Sequence, residues 1–283
     1  MRKTILCLLI GIIFAACSNE DIPTTDSSEE WIPLVVNASQ VSVTRVHDAK
    51  WENGDAIGIT VYNEDAHQSV VVNRKYIISS VANGTFVPET KDATLGDQTI
   101  LLKKGTKYTV YAYYPWTNQV VKDNEKFYVK LDLSNQSDLS KLDVLRAETS
   151  TTMDGKSIAL NFSHALMKVI LNISNGKNVA SQDLIGLTAV VTLQVKNPML
   201  DLSTCSIAKS FFFQDEIMMK TSSDGTKAEV ILNPEQTLDT GFKFKLLNGK
   251  QFSCLTIEFD SNGGDFRSWN VNCQYIANVI LGR

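Results

Sequence analysis

The chain has 283 residues, 43% of them hydrophobic, a formal charge of −4 and five cysteines. An acidic chain without a basic cluster lacks the counterion-releasing surface that drives phosphate binding, which excludes a nucleic-acid binder. The length suits two domains of ordinary size, and the apolar content is enough for two cores.

At the start, Arg2 and Lys3 precede an apolar run over residues 5–14, followed by Ala15, Ala16 and Cys17. That run is about half of the roughly 18 residues needed to cross a hydrocarbon core, so it reads as a signal peptide over residues 1–16. Phe14-Ala15-Ala16-Cys17 resembles a bacterial lipoprotein lipobox, with Phe14 where an aliphatic residue is usual. Cleavage there makes Cys17 the acylation point. A diacylglyceryl thioether plus an amide-linked palmitate-type chain exceeds the two-signal threshold for stable anchoring, so the mature chain is expected to sit on a membrane without spanning it. Losing residues 1–16, with Arg2 and Lys3, takes the charge from −4 to −6. Residues 17–31 follow as an acidic flexible tether: residues 18–30 carry five acids and no base. Such a segment cannot bury a core, and its reach is about 20 Å. Glu20 and Asp21 resemble the acidic export signal of surface lipoproteins from gut and oral Gram-negative anaerobes, which implies the outer membrane leaflet facing the medium.

From residue 34 onward period-two alternation dominates. Phe127, Val129, Leu131 and Leu133 alternate with Tyr128, Lys130 and Asp132, and the same pattern holds at Ile57, Ile59 and Val61, at Ile158, Leu160 and Phe162, at Phe242, Phe244 and Leu246, and at Leu255, Ile257 and Phe259. These read as half-buried antiparallel strands. Asn-Gly and Asp-Gly pairs at 53–54, 83–84, 154–155, 175–176, 224–225, 248–249 and 262–263 supply residues that tolerate positive φ in tight turns. Only residues 136–147 offer a helical alternative, with Leu139, Leu142 and Leu145 three apart behind Ser137 and Asp138. The strand set is therefore all-β. Asn175-Gly176 closes a strongly alternating run, which predicts one domain over residues 32–175 and a second over 176–283.

Chemistry is sparse along the chain. His47, His67 and His164 are widely spaced, and neither HExxH nor paired Cys-x-x-Cys occurs, so no metal site is expected. GxSxG and GxGxxG are absent. Gly155-Lys156-Ser157 lacks the glycine of a phosphate loop five positions earlier, where Ser150 stands, and reads as a hairpin turn. Carboxylates are scattered, with no pair singled out. Catalytic residues and cofactors are accordingly expected to be none. Cys205, Cys254 and Cys273 remain after cleavage, an odd number that permits at most one disulfide and is expected to supply small buried side chains. Tyr108, Tyr111, Tyr113, Tyr114 and Trp116 form the one aromatic cluster that could stack on a ligand, with Tyr111, Tyr113 and Trp116 as candidates. Alternation puts Tyr111 and Tyr113 on one face and Tyr108 and Tyr114 on the other, which favours rings plugging cores over a sugar platform.

Four segments in order carry a family resemblance: Trp51-Glu52-Asn53-Gly54-Asp55-Ala56-Ile57-Gly58, Tyr111-Ala112-Tyr113-Tyr114-Pro115, Asp143-Val144-Leu145-Arg146-Ala147, and Phe162-Ser163-His164-Ala165-Leu166-Met167-Lys168-Val169. Together, behind a lipobox, they resemble the fimbrillins, lipoprotein precursors of fimbriae in the same anaerobes. The match covers about residues 34–175. The resemblance implies two transthyretin-like β-sandwich domains, with Trp51 and His164 as packing residues.

It also implies a processing step. A first strand over residues 34–44 is followed directly by Arg45 and Val46, where an arginine-specific protease would cut. The cut would free the lipid anchor, tether and first strand together and leave an apolar groove along a sheet edge. A neighbouring subunit would fill that groove by strand addition. The natural donor is residues 271–281, with Tyr275, Ala277, Val279 and Leu281 on one face. The family's usual pair of alternating C-terminal tyrosines is only partly kept, since Cys273 and Ala277 flank Tyr275. The resulting expectation is a non-enzymatic fimbrial subunit or tip adhesin precursor, moving from the outer membrane to a fimbrium and meeting other subunits and a host or bacterial surface ligand. The alternative is a monomeric glycan-binding surface lipoprotein using Tyr111, Tyr113 or Trp116.

Overall fold

The structure is a computed structural model, and it describes residues 29–40, 50–208, 215–234, 242–245, 251–253, 257–259 and 274–281. β1 (Trp31–Pro33) and β2 (Val35–Gln40) form one extended segment, followed by β3 (Ala56–Asn63), β4 (Gln68–Ser80), β5 (Thr85–Pro88), β6 (Leu101–Lys103) and β7 (Lys107–Tyr114). β8 (Val120–Asp123) and β9 (Lys126–Lys130) make a hairpin, and β10 (Leu145–Thr152), β11 (Ser157–His164) and β12 (Met167–Asn175) come next. The rest of the chain supplies β13 (Thr188–Gln194), β14 (Met199–Asp201), β15 (Ser206–Ala208), β16 (Asp215–Met218), β17 (Lys220–Thr221), β18 (Lys227–Leu232), β19 (Phe242–Lys245), β20 (Gln251–Ser253), β21 (Ile257–Phe259) and β22 (Gln274–Leu281). The fold is all-β. Where a helix was conceivable there is a 3-10 turn at Leu139–Leu142, opened by Asp138, whose carboxylate accepts the Ser140 N–H.

Two apolar cores organise these strands. Around the first, a sheet in the order β10-β11-β2-β5-β4-β3-β7 closes on itself, because β10 pairs with β7 from Leu145↔Tyr114 to Thr152↔Lys107. Its inner face is built by the predicted alternation: Ile158, Leu160 and Phe162 are buried while Ser157, Ala159 and Asn161 between them are exposed. The second core is a sandwich. Its five-stranded sheet (β17-β18-β12-β22-β21) contributes Val169, Leu171 and Val230, and its four-stranded sheet (β16-β13-β19-β20) contributes Ala189, Val191 and Ile217. A further sheet, β15-β14-β9-β8, adds Val129, Leu200 and Ile207 to the same core.

The two cores do not divide the chain at residue 175. β12 lies in the middle of the second core's sheet, pairing β18 from Met167↔Leu232 and β22 from Lys168↔Gln274. β9 pairs with β14, so residues 126–130 also join the C-terminal strands. The Asn175-Gly176 signal marks the end of a strand, and a turn residue carries no information about which core that strand covers. Most of β12, from Met167 to Leu171, is buried on both faces, so the alternation visible in its sequence does not tell one core from the other.

Candidate functional site

The most informative place in the fold is the strand that the sequence put first. It begins earlier than residue 34 and runs through Gln40, the last described residue before 41–49: β1 pairs antiparallel with β6, and β2 pairs parallel with β11 and antiparallel with β5. Ile32, Leu34, Val36 and Ala38 point inward and are buried, while Trp31, Pro33, Asn37 and Ser39 point outward. The segment is an interior strand. Taking it out would open the closed sheet between β5 and β11 and leave β6 without its partner. It would also uncover Phe86, Ile100, Leu102, Ile158, Leu160 and Phe162, which share its core. Arg45 and Val46 fall in residues 41–49 and Cys17 before residue 29, outside the described residues.

Two aromatic side chains reach the main chain of this strand. The Trp51 indole N–H donates to the Ala38 carbonyl at 3.1 Å, and the Tyr76 hydroxyl donates to the Leu34 carbonyl at 3.2 Å. Tyr76 is fully buried, and burial, only partly offset by the Ile100 N–H that bonds its oxygen, raises its pKa well above the ordinary phenol value. Trp51 stands edge-on to Phe86, Tyr114 and Phe162, with ring centroids 4.9, 5.4 and 5.4 Å away. Edge-to-face contacts of this kind fix a ring's direction as well as burying it.

The four segments that carried the family resemblance converge here. After Trp51, the Asn53-Gly54 turn uses φ +98° at Gly54 and returns the chain so that an Asp55 carboxylate oxygen accepts the Glu52 N–H at 2.8 Å. The other Asp55 oxygen accepts the Tyr114 hydroxyl at 2.9 Å. Burial, and then this hydrogen bond, push the Tyr114 pKa up to about 12. His164 Nδ1 lies 2.5 Å from Asp143, tying the third segment to the fourth. Gly58 is required because a Cβ there would stand 2.2 Å from the Tyr113 ring. A cleft of about 590 Å³ opens beside these groups, lined by Gln40, Lys50, Glu52, Asp55, Tyr114 and Asp143 among others. Gln40 and Lys50 are the two described residues that flank residues 41–49, so the cleft borders both attachment points of the segment holding Arg45.

The aromatic candidates do not form an exposed platform. Tyr113 is 2% exposed, its hydroxyl donates to Asn73, and it belongs to the second core, against which the half-buried Tyr111 and Trp116 also pack. Tyr108 belongs to the first core and Tyr114 packs against it, so the alternation sorted these rings correctly between faces, and each face is covered. Tyr76 went unnoticed in the sequence, and Gly84 was read only as a turn residue. The signal for Tyr76 was a tyrosine set at even spacing from Ile78 in an otherwise ordinary strand, which says nothing about the carbonyl it serves.

The C-terminal residues sit in their own sheet. β22 runs parallel to β12 through Asn175↔Leu281 and antiparallel to β21, and Tyr275, Ala277, Val279 and Leu281 are all buried. This is the segment whose alternation read as a donor. Four apolar side chains on one face bury as well at home as they would in a neighbour, and alternation alone does not distinguish the two. Cys205 is buried, with its pKa pushed up to about 12 chiefly by burial, and its thiol donates to the Ala112 carbonyl; Cys254 and Cys273 lie outside the described residues.

Comparison with known proteins adds three findings. The sequence pattern described as fimbrillin-like matches residues 44–283. A Bacteroides uniformis protein provisionally named fimbrium subunit Fim1C is 27% identical over 238 residues, covering 82% of this chain and 75% of that protein. Crystal structures provisionally described as cell adhesion proteins share the fold: one from Bacteroides uniformis has a TM-score of 0.66 at 24% identity over 89% of this chain and 93% of that one. Another, from Bacteroides ovatus, has a TM-score of 0.61 at 18% identity over 89% and 92%.

Proposed function

The chain belongs to the fimbrillin-like family, and from that premise we propose that it is the precursor of a fimbrial subunit or tip adhesin, assembled at the cell surface by protease-triggered strand exchange. It is exported as a lipoprotein acylated on Cys17, held on the outer membrane until an arginine-specific protease cuts between Arg45 and Val46, and then joined to other subunits. The observation that carries this reading is the position of residues 31–40: β2 is an interior strand of a closed sheet, and ten residues separate it from Trp51, with Arg45 among them. A single cut there leaves the strand attached by non-covalent contacts alone. Its departure creates a slot with unpaired backbone on both sides, which is the substrate for strand addition.

The proposed donor is β22 of a neighbouring subunit. β22 lies parallel to one neighbour and antiparallel to the other, as β2 does, and each segment presents four inward apolar residues at alternate positions. Donation requires β22 to leave its own sheet, so the transfer moves those side chains from one core to another. Burial is then nearly balanced, and loss of the cleaved N-terminal fragment makes the exchange one-way.

The experiment is to treat the purified precursor with an arginine-specific protease and look for detergent-resistant ladders. Polymers from the unaltered chain and none from Arg45→Ala support the reading. A processed chain that stays monomeric, or ladders formed equally by Arg45→Ala, overturns it.

A further inference from the structure

We infer that Trp51 and Tyr76 are main-chain grips for whichever strand fills the slot between β5 and β11, so that the slot recognises its occupant by backbone and apolar fit. For its biological use this rests on the strand-exchange reading; its existence rests on the hydrogen bonds alone.

The Val35 N–H donates to the Lys156 carbonyl on the β11 side, whereas those of Leu34 and Ala38 donate the other way, to Ile100 and Gly84, at 2.9 and 2.8 Å. Because main-chain groups alternate in direction along a strand, the Leu34 and Ala38 carbonyls face away from β11 too. An antiparallel neighbour would return an N–H to each. Neither neighbour does. The β1–β6 register continues to Ile100 opposite Leu34, and the Ile100 N–H donates instead to the Tyr76 oxygen at 3.3 Å. On the β5 side the register Val36↔Phe86 puts Gly84 opposite Ala38, and the Gly84 N–H is turned to the Val81 carbonyl, closing the preceding turn. Two buried carbonyls would thus lack donors, a costly state in an apolar core. The Tyr76 hydroxyl and the Trp51 indole supply them.

Both donors are anchored by groups outside the strand. The Tyr76 oxygen accepts the Ile100 N–H, and Trp51 is held between Phe86, Tyr114 and Phe162. They remain aimed at the slot when the strand departs. The polar side-chain bonds recorded for β2, Ser39 to Asn161 and Thr85 to Asn37, lie on the exposed face. The inner face therefore asks only for apolar residues at alternate positions and for two carbonyls four residues apart. A strand from a second copy of this chain meets those terms if no proline stands where the Leu34 or Ala38 N–H now donates.

The test is amide hydrogen exchange on the intact, uncleaved chain with Tyr76→Phe and Trp51→Phe, each of which keeps an aromatic ring and removes the donor. Loss of one such bond is expected to speed exchange at Val35–Gln40 about fivefold to tenfold, with β10 and β13 unchanged. Unaltered exchange in Tyr76→Phe, or an equal rise across both cores, overturns the grip; if Trp51→Phe fails to fold, Tyr76→Phe decides alone. A second arm separates this from the strand-exchange reading: protease-made ladders of Tyr76→Phe should come apart sooner on heating in detergent than those of the unaltered chain. If the unaltered chain forms no ladders while exchange in Tyr76→Phe rises only in β2, the grip stands and the strand-exchange reading falls.

Discussion

The Gln136 side-chain amide and the Ile231 main chain exchange two hydrogen bonds: the Ile231 N–H donates to Oε1 at 2.8 Å, and Nε2 donates to the Ile231 carbonyl at 3.1 Å. Gln136 is 3% exposed and acts as a one-residue strand against β18. Its Nε2 also donates to the Leu133 carbonyl, so a residue before β10 is fastened to a strand near the far end of the chain.

Gln136→Met keeps the side chain's length and removes both partners of Ile231. Leaving a buried N–H and C=O unsatisfied is expected to cost about 2–4 kcal/mol. Thermal melting checks this; a melting temperature within a degree of the unaltered chain contradicts the two-bond account.

Gly84 sits at φ +60°, and a Cβ there would stand 2.1 Å from the Ala38 carbonyl oxygen. Gly84→Ala should therefore push β2 off the edge of β5 and loosen the first strand, at a cost of about 1–3 kcal/mol. Limited proteolysis of the precursor reads this directly. The expected outcome is faster loss of the N-terminal fragment than from the unaltered chain.

Deleting residues 277–283 removes Ala277, Val279 and Leu281 from a fully buried face. Each large-to-small loss in such a place costs about 2–4 kcal/mol, so the truncated chain is expected to melt far lower and Leu281→Ala to show a smaller version of the same loss. Preserved melting in both would mean that β22 contributes little to its own sheet.

Tyrosine burial sets the alkaline limit. Tyr76 and Tyr113 are raised by burial, and Tyr114, through burial and then its bond to Asp55, titrates at about 12. Their unfolded pKa is about 10. Folded values above that make their stabilising contribution complete below about pH 10 and lost as pH climbs through the folded values. Tyrosinate absorbance and circular dichroism are expected to change together in one steep alkaline transition. A gradual tyrosinate rise with ordinary midpoints, ahead of any loss of structure, would count against it.

Much of the first core could be read in advance. Alternation at Ile57, Ile59 and Val61 and at Ile158, Leu160 and Phe162 named inward residues that are all buried. It also split Tyr108 and Tyr114 from Tyr111 and Tyr113, and the structure puts those pairs against different cores. The slot's polar side was less visible. Trp51 read as a packing ring, and nothing in its neighbourhood announced that Ala38 would need a donor, because that need arises from Gly84 turning its own N–H elsewhere. β22 read as a donor for the same reason that it fits at home.

What the sequence alone determined is local in the chain: the strand class from period-two alternation, the turns from Asn-Gly and Asp-Gly pairs, and the scarcity of catalytic motifs. Which strands meet was decided only in three dimensions. β2 lies beside β11 across more than a hundred residues of chain, and β12 beside β22 likewise, both in parallel. Parallel partners cannot be joined by a tight turn, so no short sequence signal encodes them. Their pairing is settled by which apolar faces close a core together and by which carbonyls still lack a donor once they have closed.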